Sequence, residues 1–145
     1  MRTLLTALLL TTLCSAQDQV QTLGKAIAKA EGFYIKGTIP NRCKNPGDLK
    51  VVKDYRYPGQ VGVCKGGHAR FRTDTDGWAA LIHQIEKITS GESKYYSVNM
   101  ALQEIGNYYA RNSRVWAKNV AHNLGVTPDT YLFEVLDVPP ILEEQ

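Results

Sequence analysis

The chain has 145 residues, 43% of them hydrophobic and 21% charged, with a formal net charge of +3. That length and balance suit one domain with a real core and exclude a disordered or fibrous chain. The mild positive charge suits an anionic surface or polymer but is too small to argue for a nucleic-acid partner.

Residues 1–16 read as a secretion signal. Met1-Arg2 supplies a positive start, Leu4 to Leu13 is an apolar run of Leu, Ala and Thr, and Cys14-Ser15-Ala16 offers small residues for cleavage. The run is too short to span a bilayer, so export to the periplasm or the medium is expected rather than membrane insertion. The alternative is a buried N-terminal helix. Cleavage leaves residues 17–145 as a single domain with two cysteines, Cys43 and Cys64. An even pair in an exported protein predicts a disulfide; two free thiols are the alternative.

Residues 18–31 read as the first helix. Val20, Leu23, Ile27, Ala30 and Tyr34 step by three and four along one stripe, with Gly32 as the stop. Residues 36–72 are punctuated by Gly and Pro. Three short β-type runs lie among them, Asp48–Val52, Gln60–Cys64 and Ala69–Arg72, and predict a small antiparallel meander. Pro46-Gly47 and Pro58-Gly59 both suit a type II turn, since Pro sets φ and Gly accepts φ > 0. An irregular loop region stapled by the disulfide is the competing reading.

From Asp76 the helical pattern returns. Trp78, Leu81, Ile82, Ile85 and Ile88 form one stripe, opened by the Thr/Asp cluster at 73–76, where Asp74 and Asp76 read as caps. Val98, Leu102, Ile105 and Tyr109 form the next, with Ser97 as expected N-cap. Trp116, Val120 and Leu124 form a third, between Ser113 and Gly125. Thr127-Pro128 suits the start of a last helix, and the tail from Asp137 reads as peripheral. The expected class is α+β: a mostly helical domain with a small antiparallel β-lobe after the first helix.

Glu31 stands out chemically. It follows Ile27 by four residues and so shares the apolar side of the helix, away from Lys25 and Lys29. No local cation can lower its pKa, and the C-terminal end of the helix dipole disfavours its charge. Desolvation acts in the same direction. A carboxyl that keeps its proton near neutral pH is what a general acid needs. His68, His83 and His122 are scattered without ligand spacing, so neither a metal nor a cofactor is expected.

Ala30-Glu31-Gly32-Phe33, then Asn45-Pro46-Gly47-Asp48-Leu49, then Phe71-Arg72 leading into Gly77-Trp78-Ala79-Ala80-Leu81, together resemble the lysozyme-like superfamily. The style is that of small phage-type muramidases, lytic transglycosylase-like domains and lysozyme-fold glucosaminidases, over roughly residues 22–136. The Gly-Leu-Met-Gln type of motif common in soluble lytic transglycosylases is missing. The resemblance implies peptidoglycan glycan strands as substrate, a β-lobe lining a sugar cleft, and Glu31 as catalytic acid. Asp48 is the best-placed second carboxylate. Asn45, Tyr57, Gln60 and Tyr108 are the expected substrate contacts, with Tyr109 in the core, and the protein is expected to act as a monomer. A non-catalytic glycan-binding or phage-structural protein of the same fold is the alternative from the other functional class.

Overall fold

A computed structural model describes residues 2–142, with side chains from Ala16 onward. The side chains of most of the expected signal segment, and residues 143–145 of the tail, lie outside the described residues. The architecture is α+β and mostly helical. Helix α1 (Arg2–Ala30) leads to a short α2 (Ile39–Arg42), a two-stranded sheet of β1 (Gln60–Cys64) and β2 (His68–Phe71), and then α3 (Asp74–Thr89), α4 (Leu102–Tyr109), α5 (Ser113–Leu124) and α6 (Leu132–Leu136). Among the described residues, no helix is long and apolar enough to cross a membrane.

The α1 stripe packs as its periodicity requires. Val20, Leu23 and Ile27 are buried against α3, α5 and α6. Tyr34 breaks from the stripe and is exposed, because the helix has ended at Ala30 and Gly32 turns the chain with φ +78°. Phe33 takes the buried place instead and meets Trp78 edge-on at 5.7 Å between ring centroids. Leu81, Ile85 and Ile88 of α3, Leu102 and Ile105 of α4, and Trp116 and Val120 of α5 complete the main core.

Several helix starts differ from expectation. Helix α1 runs from Arg2 rather than from residue 18. Helix α4 begins after Ala101, not at Ser97, whose hydroxyl accepts instead from the Asn99 N–H. The segment opened by Thr127-Pro128 is not helical. Its carbonyls at Pro128 and Thr130 accept from the N–H groups of Gln103 and Leu102, which satisfies free donors of the first turn of α4. The last helix starts only at Leu132. Thr73, by contrast, caps α3 in a reciprocal box with Asp76, within the cluster expected to do so.

The β-lobe has its own small core of Leu49, Tyr57, Ala69, Phe71 and Ala80. Its two strands pair antiparallel with an irregularity between Gln60 and Gly62. The expected first strand over Asp48–Val52 is reduced to isolated bridges, Lys50 with His68 and Val52 with Tyr55. Asp48 has φ +48°, which breaks the extended run that a strand needs. Pro58-Gly59 forms the type II turn, with φ +76° at Gly59 and a Gln60 N–H to Tyr57 C=O bond of 3.0 Å. At Pro46-Gly47 the positive φ falls on Asp48 instead, so that turn is not type II. Gly47 is closely approached there: a Cβ would lie 2.8 Å from Leu81 Cδ1, and that side chain would have to shift. Cys43 and Cys64 form the disulfide, tying the end of α2 to the end of β1 with Cα atoms 6.4 Å apart.

Candidate active site

Glu31 is the C-cap of α1, and its backbone is held on both sides. Its own N–H reaches Ile27 C=O at 2.9 Å. The Gly32 N–H reaches Lys29 C=O at 3.2 Å, and the Phe33 N–H reaches Ala28 C=O at 3.0 Å. These last two bonds make a Schellman motif, which Gly32 permits by entering the left-handed region. The motif aims the Glu31 side chain towards α5, where Trp116 Nε1 donates to Glu31 Oε1 at 2.7 Å. Trp116 is presented from the first turns of α5, whose start is capped by Asn112 accepting from the Val115 N–H. Gly106 of α4 allows this approach, because a Cβ there would lie 2.8 Å from the Ser113 carbonyl oxygen.

The Trp116 ring stacks on Tyr109 with centroids 4.9 Å apart. The Tyr109 hydroxyl donates to Gly47 C=O, the residue before Asp48. A continuous set of contacts therefore runs from the acid at the end of α1, through α5 and α4, to the turn that carries the second carboxylate. Burial holds the Tyr109 hydroxyl well above the usual phenol range, and the charges of Glu31 and other neighbours add to this. It stays a donor to Gly47 at any working pH.

Glu31 is half-buried, and its pKa is pushed up from 4.5 to about 7. Desolvation is the main cause, the negative charge of Asp48 adds to it, and the Trp116 hydrogen bond opposes it. Asp48 is also raised by burial, but His68 and Lys50 pull it back down. His68 Nδ1 lies 2.8 Å from Asp48 Oδ1 and 2.9 Å from the Asp48 carbonyl oxygen. Only the second contact is aligned as a hydrogen bond. Oδ1 is buried and receives no aligned donor, so the 2.8 Å contact is electrostatic in character. The environments of the two carboxyls thus diverge: Glu31 faces a neutral Trp N–H, and Asp48 faces an imidazole and an ammonium. Burial raises both carboxyls, and only Asp48 has His68 and Lys50 beside it to oppose the rise.

No family of known proteins, no curated protein and no solved structure matches this chain. Its chemistry therefore rests on its own geometry.

Both carboxyls line one open cleft of about 500 Å³, together with Lys50, His68, Tyr109 and Trp116, and with Arg111 and Asn119 among the residues beyond them. The structure thus brings Glu31 and Asp48 together. None of the four expected substrate contacts lines that cleft, though Tyr57 and Tyr108 line an adjoining cavity that also reaches Asp48 and Lys50. Asn45 is fully buried and bonds the lobe's own backbone: its Nδ2 donates to Leu49 C=O and Ala69 C=O, and its Oδ1 accepts from the Leu49 N–H, each at 2.9 Å. It builds the Asp48 turn and has no atom left for a ligand. Tyr57 is buried in the β-lobe core with its hydroxyl on Lys50 C=O. Gln60 turns its side-chain carbonyl onto the Tyr57 N–H, which closes the Pro58-Gly59 turn. Tyr108 is exposed, but it lines a neighbouring apolar cavity of about 300 Å³ rather than the cleft. Tyr109 packs against the main core as expected and also forms part of the cleft wall.

Trp116, His68 and Lys50 were not expected at the site. One signal for Trp116 was available. A buried indole N–H needs an acceptor, and Glu31 was a buried acceptor without a cation. For His68 and Lys50 no local signal existed, since their pairing depends on the bridge that sets them opposite each other.

Proposed function

We propose that this chain is an exported peptidoglycan-cleaving glycosidase of lysozyme-like type, with Glu31 as its general acid. The observation that carries this reading is a carboxyl held at about 7 in an open cleft, beside a second carboxylate whose neighbours favour charge. Two carboxyl groups in different charge environments across one cleft are suited to breaking a glycosidic bond. The buried Cys43–Cys64 disulfide agrees with export into an oxidising compartment.

In this mechanism protonated Glu31 donates to the glycosidic oxygen between N-acetylmuramic acid and N-acetylglucosamine as the bond from that oxygen to the sugar C1 breaks. Positive charge grows on the sugar ring and is met by the Asp48 carboxylate. A water, or the sugar's own 6-hydroxyl, then adds its oxygen to C1 and returns a proton to Glu31. The first outcome is hydrolysis, the second a lytic transglycosylation that leaves an anhydro ring. Trp116 orients the acid and Tyr109 fixes the Asp48 turn; neither exchanges a proton.

Clearing of a purified peptidoglycan suspension tests the reading. Replacing Glu31 by Gln keeps the shape and the Trp116 contact but removes the proton, so clearing falls by about 100-fold or more. Equal rates for the two proteins sink the assignment. Mass spectrometry of the released muropeptides then separates reducing-end products from anhydro products. Glycan capture without any released product would instead identify a binding protein.

A further inference from the structure

Lys50, His68 and Asp48 line one wall of the cleft, and the reaction as written leaves Lys50 and His68 without a task. Lys50 and His68 stand opposite each other across the isolated bridge, so their side chains share a face. Lys50 Nζ lies 2.6 Å from Gly66 C=O and 2.9 Å from His68 Nε2. On the other edge of the ring, Nδ1 faces two oxygens of Asp48, the carbonyl at 2.9 Å and Oδ1 at 2.8 Å.

We propose that Lys50, by donating to His68 Nε2, holds the imidazole as its Nδ1–H tautomer, and that His68 is thereby the positioning residue for Asp48. An ammonium group has donors only, so a nitrogen 2.9 Å away must offer a lone pair. The Asp48 oxygens are acceptors only, so the nitrogen facing them must carry the hydrogen. Both edges of the ring demand the same tautomer. The opposite tautomer sets two donors against each other on one edge and bare lone pairs against oxygens on the other.

The Nδ1–H bonds the carbonyl of a residue with φ +48°, a conformation that L side chains rarely adopt, and so helps keep the Asp48 turn in place. Gly66 leaves room for the pair, since a Cβ there would lie 3.3 Å from His68 Nε2 and 3.9 Å from Lys50 Nζ. Glu31 from the end of α1, Tyr109 from α4 and Arg111 from the loop after it share the cleft. Among the described residues none of them hydrogen-bonds the imidazole.

The catalytic consequence rests on the glycosidase reading; the tautomer does not. Imidazole ¹H–¹⁵N correlation spectra at pH 8 read it directly, with exposed His83 and His122 as internal references. Wild type shows His68 as Nδ1–H, and Lys50→Met, a change at an exposed side chain, weakens that preference, since only the Asp48 edge then holds it. Asn sets its amide nitrogen where Nδ1 stands, whereas Gln reaches the Nε2 position. His68→Asn therefore keeps kcat on peptidoglycan within about tenfold, and His68→Gln lowers it by about 100-fold at unchanged KM. An Nε2–H signal in wild type, or equal losses for Asn and Gln, overturns the proposal. Should wild type cleave no peptidoglycan, the glycosidase reading fails alone. The tautomer and the Asp48 carboxyl ¹³C shift, which Gln displaces and Asn does not, still decide the positioning.

Discussion

Removing the charge of Glu31 should stabilise the protein that it disables, and only at one end of the pH range. The carboxyl goes from 4.5 when unfolded to about 7 when folded, so the native state holds its proton more tightly than the unfolded state does. Below 4.5 both states are protonated and burial of the group carries no electrostatic penalty. As pH rises from 4.5 to about 7, the unfolded state releases its proton first, and stability falls through that window. At about 1.4 kcal/mol for each pH unit, the gap amounts to about 3 kcal/mol once the group is ionised in both states. Glu31→Gln removes that loss. Its amide oxygen still accepts from Trp116, and its volume is unchanged. Urea denaturation of wild type and variant, followed by circular dichroism at pH 4 and pH 8, measures the difference. The variant should match wild type at pH 4 and exceed it by about 2–3 kcal/mol at pH 8. A variant that is equal or weaker at pH 8 refutes the claim that desolvation dominates this carboxyl.

Trp116→Phe removes the hydrogen bond that opposes this shift, and a bond to a charged acceptor is worth about 1.5 kcal/mol. The alkaline limb of the pH–activity profile should move up by about one pH unit, as read from initial clearing rates. Asn45→Ala strands the backbone groups that Asn45 now satisfies. It should cost about 3 kcal/mol in chemical denaturation, whereas a substrate contact would raise KM and leave stability alone. Paired Ser substitutions at Cys43 and Cys64, 21 residues apart, should lower stability by about 3 kcal/mol, seen as a fall in Tm that reducing agent reproduces in wild type.

What was legible in the sequence was what local pattern controls. The stripe through Val20, Leu23 and Ile27 packs as written, and the Thr73–Asp76 cap is complete within four residues. The Gly32 stop was visible, yet its effect on Tyr34 was not, because periodicity counted past a glycine carries a residue onto a face that the chain has left. The start of α4 was misplaced because its first donors are satisfied by carbonyls at 128 and 130, far along the chain. Ser97, the obvious local cap, serves its own turn instead. The same contrast holds for the cleft. Glu31 could be found because an acid on an apolar stripe is odd in its own setting, and Asp48 because its position in the expected first β-run suited a partner for it. Asn45, Tyr57 and Gln60 carry side chains as suited to a glycan as to a turn, and only the hydrogen bonds tell which use they have. Tyr108 and Tyr109 differ by one position on a helix, and the stripe placed Tyr109 on the inward side without showing that this side opens into the cleft.

Gly77 carries a consequence beyond its fit. It lies in the first turn of α3 and presses directly on the Lys44 carbonyl, where no side chain has room. The same helix supplies Ala80 to the β-lobe core and Leu81, Ile85 and Ile88 to the main one. One rod of 16 residues, about 24 Å long, is thus a shared beam of both lobes. Such a beam ties both cores to one element. On the glycosidase reading proposed above, the lobes would keep their spacing through turnover, and a glycan strand would distort to suit them.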